Sequence, residues 1–283
     1  MHIRSNSSPA SFGDGEVLLH FFEEGASDDS PLVLLFHGVH GSATPAEGNK
    51  YGYLARSLAR SGCLACVVET GRLRRDKATF GDDRVAWAIA AFQGKTFAME
   101  VYDACSALES AVGEWPGRPV VLWGFSLGGI ISVLLAGKEV SGFVRQTGLR
   151  APVIPAVNAL VVSGSGDRVR TQASDGLNLP ILDTLGSSET VHIAASKASP
   201  DFALFFYGGC DETFDEESSR RIFRSLRLDE EDKEFIILPG VDHAFRTQDG
   251  VSSLEPLDRM LEITTATLGR YRTTGGCPAR PEE

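Results

Sequence analysis

Short, largely apolar runs recur along the chain, separated by segments of helical character. They are residues 32–36 (Leu-Val-Leu-Leu-Phe), 63–68, 120–123, 157–162, 202–207 and 234–238. A strand with one face in water alternates apolar and polar residues, whereas a run apolar at nearly every position belongs to a strand buried on both faces. Between the runs, residues 51–61 put Leu54, Ala55 and Leu58 on one helical face. Residues 98–112 repeat Val101, Cys105, Leu108 and Val112 at helical spacing, and 215–226 turn Ile222, Phe223 and Leu226 inward. Strands alternating with helices from 32 to 268 predict an α/β fold, one doubly wound and mostly parallel sheet flanked by helices. No internal repeat and no interdomain linker interrupts it.

The remaining segments are less regular. Residues 1–15 are polar and expected to be loose, and 16–22 read as a first strand. Residues 71–81 form a mainly basic loop, 85–92 a short helix, 146–155 a connection and 252–268 the last long helix. The segment 167–200 is too long for a plain loop in a compact domain, so one or two helices forming a small cap are expected there. Residues 270–283 are rich in glycine, proline and charge and should fray.

The run at 120–123 leads into Gly124-Phe125-Ser126-Leu127-Gly128-Gly129 and then the mostly apolar 130–136. This is strand, sharp turn and helix with a serine at the turn, the G-x-S-x-G nucleophile elbow. Such a turn strains the serine backbone and crowds its neighbours, so Gly124 and Gly128 leave room. The helix that follows aims free N–H groups and its positive end at the point where an oxyanion would form.

Doubly wound sheets put functional residues just beyond the carboxyl ends of their strands. Four such ends stand out: His37-Gly38-Val39, Ser126, Gly208-Gly209-Cys210-Asp211, and Pro239-Gly240-Val241-Asp242-His243. In these four motifs, spread over 32–268, the chain resembles the α/β-hydrolase family, in its serine hydrolase and esterase branch of dienelactone-hydrolase or feruloyl-esterase type. The resemblance implies an α/β-hydrolase fold as one domain over 1–283, with 167–200 as a small cap or lid insertion. It implies Ser126 as nucleophile, His243 as base, and the backbone N–H groups of Leu127 and Val39 as the oxyanion hole. Asp211 is the first choice for the carboxylate that orients the imidazole. Asp167, at the end of the preceding strand, is the alternative acid, and Asp215 fits the start of a helix better. Asp242 adjoins His243, and side chains of adjacent residues diverge. His37 matches the family histidine that braces the oxyanion loop. His40 is expected to face solvent, and His20 and His192 to be structural or exposed.

Other features point away from special chemistry. Arg72, Arg74, Arg75 and Lys77 follow a strand end and could favour a carboxylate-bearing substrate, but a solvated loop accounts for them better. Trp123 and Phe125 flank the elbow and read as core. Cys63-Leu64-Ala65-Cys66 has redox spacing, yet it lies inside an apolar run and not at a helix start. Five cysteines, an odd number, fit reduced thiols in a cytoplasmic protein. No cluster has metal-ligand spacing and no glycine-rich loop has the phosphate-binding form, so no cofactor and no metal is implied. With 27 basic and 38 acidic residues the formal net charge is −11, which argues against nucleic acid or an anionic membrane as partner. The start of the chain has no apolar core of signal-peptide length, and no segment approaches the ~18 apolar residues of a membrane span. The expected function is hydrolysis of a small-molecule carboxylic ester, with a thioester or amide as lesser options. Peptidase or perhydrolase chemistry on the same triad, or a non-catalytic small-ligand-binding protein on the same fold, are the alternatives.

Overall fold

Eight strands form one sheet in a computed structural model that describes residues 2–39, 41–168, 180–247 and 253–273. In chain order they are β1 (Ile3–Pro9), β2 (Glu16–Phe22), β3 (Leu32–Phe36), β4 (Leu64–Glu69), β5 (Val120–Phe125), β6 (Ala159–Ser163), β7 (Phe202–Gly208) and β8 (Lys233–Leu238). Their spatial order is β1-β2-β4-β3-β5-β6-β7-β8. The six strands from β4 to β8 in that order pair in parallel, while β1 pairs antiparallel with β2 and β2 antiparallel with β4.

The helices are α1 (Lys50–Arg60), α2 (Arg84–Phe92), α3 (Phe97–Glu114), α4 (Leu127–Ala136), α5 (Ser141–Thr147), α6 (Pro180–Asp183), α7 (Ser188–Lys197), α8 (Glu216–Ser225) and α9 (Glu255–Thr273). The period-two geometry of the strands explains the two cores. Leu32, Leu34 and Phe36 of β3, with Val120 and Leu122 of β5, join Val101, Cys105 and Leu108 of α3 and most of α4. Val33 and Leu35, with Val121, Trp123 and Phe125, join Leu54 and Leu58 of α1 and Leu257, Met260 and Leu261 of α9. Leu34 and Leu122 are fully buried; truncating either to alanine would cost about 2–5 kcal/mol.

Two expectations need correction. Residues 3–9 are not loose: they form the edge strand β1, paired with β2 from Ile3 opposite Phe22 to Pro9 opposite Glu16. The sequence Ile-Arg-Ser-Asn-Ser-Ser-Pro carries no apolar alternation because only Ser8 is buried, so the strand is held by its ladder and not by a core face. The basic loop is not simply solvated either, since Arg72 is only 1% exposed. The expected helices in the irregular segment are α6 and α7. Residues 169–179 fall outside the described residues, as do His40, Ser252 and 274–283; of the stretch 270–283 expected to fray, 270–273 instead complete helix α9.

Candidate active site

The apolar β5 delivers its chain to a turn at Ser126, whose φ of 52° and ψ of −119° lie where side-chain-bearing residues are strained. The strain is enforced from both sides. A Cβ on Gly124 would fall 2.1 Å from the Gly128 carbonyl oxygen, and one on Gly128 would fall 2.6 Å from the His37 carbonyl oxygen. The Ser126 N–H donates to the Ser163 carbonyl at 2.8 Å, and its carbonyl accepts from the Ser165 hydroxyl at 2.7 Å. Strand β6 thus pins the turn on which the serine sits, leaving the Ser126 hydroxyl directed outward.

Two other strand ends reach that hydroxyl. His243, beyond β8, places Nε2 3.1 Å from Ser126 Oγ and Nδ1 2.9 Å from Asp211 Oδ2. A carboxylate can only accept, so Nδ1 carries the proton and Nε2 is left as the acceptor for the serine hydroxyl. Asp211, just beyond β7, has a fully buried side chain. Its other oxygen accepts from the backbone N–H groups of Thr213 at 2.7 Å and Phe214 at 3.0 Å. Both oxygens are therefore committed, which holds the carboxylate in one orientation. The Phe214 ring lies 5.6 Å from the imidazole and Phe245 packs edge-on against Phe125, closing the histidine loop onto the elbow.

The other acidic candidates are engaged elsewhere. Asp167 accepts from Arg221 through both oxygens, at 2.8 and 2.5 Å, and from His192 Nε2 at 2.9 Å. Burial alone would raise its pKa, but these hydrogen bonds outweigh burial and hold it below the usual value. It ties α7 to α8 and has no oxygen turned toward His243. His192 reaches Ser225 at 2.9 Å by its other nitrogen, so a second serine–histidine–aspartate line exists. Ser225 sits in the last turn of α8, where carbonyls and not N–H groups are free, so nothing there would receive an oxyanion. Asp215 is the N-cap of α8, accepting from the Ser218 N–H. Asp242 pairs with Arg246 at 2.8 Å.

Leu127 is the first residue of α4, so its N–H has no partner within the helix. Val39 borders the same cavity as Ser126 and Leu127. Behind Val39, His37 donates from Nδ1 to the Gly38 carbonyl at 2.8 Å, and its Nε2 lies 3.1 Å from Thr70 Oγ1. Burial lowers the His37 pKa, favouring a neutral ring. Thr70 in turn donates to Glu100 at 3.1 Å, and Glu100 pairs with the buried Lys95. Lys95 also reaches Asp103 at 2.8 Å. Lys95, Glu100 and Asp103 stand out only in the structure; in sequence they sit at the start of a helix like any other solvated charges.

The basic run is mostly consumed by carboxylates. Arg72 faces Glu69 at 3.3 Å, Arg75 bridges Asp14 and Glu69, and Arg74 pairs with Asp76. Trp123 is fully buried and donates to Ser163 Oγ at 2.9 Å. Cys63, Cys66, Cys105 and Cys210 are free thiols. Burial raises the Cys66 thiol far above the usual range and pushes Cys105 up to about 12, so neither is a thiolate at neutral pH. Among the described residues, no single helix is long and apolar enough to cross a membrane.

A cavity of about 510 Å³ opens at Ser126 and His243. Phe97, Ile130, Leu134, Phe143, Leu182 and Val191 make it apolar, and α6 and α7 form one wall.

A doubly wound sheet in this strand order, with a strained serine at the β5–α4 turn, is the α/β-hydrolase fold. Solved structures with the same arrangement cover almost the whole chain. An esterase from an Arctic intertidal metagenomic library superposes with a TM-score of 0.58 at 17% identity, over 93% of each chain. Thermogutta terrifontis esterase 2 does so at 0.60 and 15%, over 95% of this chain and 94% of its own. The dienelactone hydrolase of Anabaena variabilis matches at 0.57 and 15%, over 96% and 99%. No family model and no curated protein matches the sequence.

Proposed function

We propose that this chain is a serine hydrolase that cleaves a small carboxylic ester through an acyl-enzyme. The observation that carries the reading is the unbroken line from Ser126 Oγ through His243 to Asp211, at 3.1 and 2.9 Å. Esterase and dienelactone hydrolase activities among proteins of the same fold support it. Ser126 Oγ attacks the ester carbonyl while its proton passes to His243 Nε2. The tetrahedral oxygen takes hydrogen bonds from the Leu127 and Val39 N–H groups, each contributing about 3 kcal/mol. Collapse expels the alcohol oxygen, which leaves with the proton from His243. Water then gives a proton to His243 and attacks the acyl carbon; collapse breaks the bond to Ser126 Oγ, which takes the proton back from His243, and the acid is released. Asp211 keeps Nε2 facing the serine and stabilises the transient imidazolium. The apolar cavity receives one side of the ester, and we read 167–200 as the small cap that covers it.

The test is direct. The native protein should hydrolyse p-nitrophenyl butyrate and be labelled at Ser126 by a fluorophosphonate. Ser126→Ala should lose both while keeping its circular dichroism spectrum. Labelling without turnover would favour a ligand-binding protein, and turnover surviving in Ser126→Ala would exclude the mechanism.

A further inference from the structure

The peptide unit that carries the Val39 N–H begins with the Gly38 carbonyl. That unit is planar, so whatever grips the carbonyl also aims the N–H. Two donors grip it: His37 Nδ1 at 2.8 Å and the Gly41 N–H at 2.9 Å. They polarise it as well, because hydrogen bonds in series strengthen one another by roughly 10–30% per bond. The fit leaves no slack. A Cβ on Gly38 would fall 2.8 Å from Ser126 Cβ, and one on Gly41 would fall 2.4 Å from His37 Cβ. The loop is packed against both the nucleophile and the imidazole.

The imidazole has a backing of its own. His37 Nε2 lies 3.1 Å from Thr70 Oγ1, which lies 3.1 Å from Glu100 Oε1. Glu100 pairs with Lys95, and Lys95 Nζ donates to the Gly71 carbonyl and to Asp103 Oδ2, both at 2.8 Å. Asp103 in turn accepts from the Gly71 N–H at 3.0 Å. Burial opposes ionisation of Glu100, yet Lys95 and its other partners outweigh burial and hold the carboxyl below its usual pKa. None of His37, Thr70, Lys95, Glu100 and Asp103 is more than 3% exposed. The cluster joins the ends of β3 and β4 to the first two turns of α3. Apolar side chains of the same volume would hold these elements together as well, because ion pairs taken out of water rarely repay their desolvation. Stability is therefore a poor account of the cluster, and orientation of the imidazole is a better one.

We propose that Thr70 and Glu100 are positioning residues for ester cleavage: through His37 they lock the Gly38–Val39 peptide with its N–H toward the forming oxyanion, and Lys95 anchors Glu100. The inference rests on Val39 as an oxyanion donor in the hydrolase reading.

The experiment compares Thr70→Val, Thr70→Ser and Glu100→Gln in the full chain. Valine keeps the shape of threonine and removes the link to His37. With p-nitrophenyl butyrate, kcat of Thr70→Val should fall about tenfold and KM stay within about twofold, less than the ~10²–10³ lost with a whole oxyanion donor. Thr70→Ser keeps the hydroxyl and should hold kcat within about threefold of native. Glu100→Gln keeps the shape, loses the charge and should lower kcat by about threefold or more. Butyl trifluoromethyl ketone separates positioning from a purely structural role. Ser126 Oγ adds to its carbonyl carbon, the serine proton passes to His243, and the carbonyl oxygen becomes an alkoxide at the oxyanion site. Its inhibition constant should rise in each variant by the factor by which kcat falls. Native kcat in folded Thr70→Val, a Thr70→Ser as slow as Thr70→Val, or a fall in kcat with the inhibition constant unchanged would overturn the proposal. If Thr70→Val does not fold, Glu100→Gln carries the same test, and native kcat there overturns it. If the native protein cleaves p-nitrophenyl butyrate in a Ser126-dependent way and the variants match it, only the positioning role falls. If the native protein does not cleave it and Ser126 is not labelled, the hydrolase reading fails and the positioning role falls with it.

Discussion

Two aspartates at successive strand ends compete for one role, and their hydrogen bonds separate them. Asp211 gives one oxygen to His243 and the other to two backbone N–H groups, whereas Asp167 gives both to Arg221 and His192. Asp211→Asn should therefore lower kcat by about 10³–10⁴, because an amide allows the wrong imidazole tautomer. Asp167→Asn should lower kcat by less than about tenfold. Its effect should appear in thermal denaturation, since Arg221 and His192 lose a charged partner. Equal kcat losses in the two variants would leave the assignment of the acid unsupported. Sequence order pointed to this choice, because Asp211 follows β7 as His243 follows β8. It did not reveal that Asp167 is engaged, since its partners are 25 and 54 residues away. The basic run shows the same limit. Arg72 and Arg75 look solvated until Glu69 and Asp14 are brought beside them.

At the scale of elements, legibility followed burial. Strand β3 begins and ends where its apolar run does, because each of its residues is buried and the boundaries are set by that burial. Strand β1 was illegible because its pairing is backbone to backbone and leaves no side-chain pattern. Helix α5 is short, with Val144 alone buried, so periodicity had nothing to register. The elbow was legible for the opposite reason, since steric demand at a turn admits few residues. That demand yields a prediction about stability. Ser126 is held at φ 52°, where glycine is unstrained and alanine is not. Ser126→Gly should therefore be more stable than Ser126→Ala by about 1–2 kcal/mol. Urea denaturation measures the difference. Equal midpoints would mean that the turn relaxes once the hydroxyl is gone.

For the molecule as a whole, the N-terminal hairpin is joined to the sheet by buried charge as much as by apolar contact. Glu69, at the end of β4, accepts from His20 of β2 at 3.4 Å and lies 3.3 Å from Arg72 and 2.9 Å from Arg75. Arg75 in turn reaches Asp14 in the β1–β2 turn at 2.6 Å. Burial opposes ionisation of Glu69, yet the hydrogen bond from His20 and the two guanidinium groups outweigh it and lower its pKa to about 2. A carboxylate with a depressed folded-state pKa adds stability that is present above its unfolded value of 4.5 and is lost as pH falls toward about 2. A shift of that size corresponds to about 3 kcal/mol. Glu69→Gln cannot ionise, so it should be less stable than the native protein by about that amount at pH 7, with the gap closing between pH 4.5 and about 2. Denaturation midpoints measured across this range test the claim. A gap that stays constant with pH would mean that the glutamate contributes through packing, and that the hairpin is held by its backbone ladder and its apolar face alone.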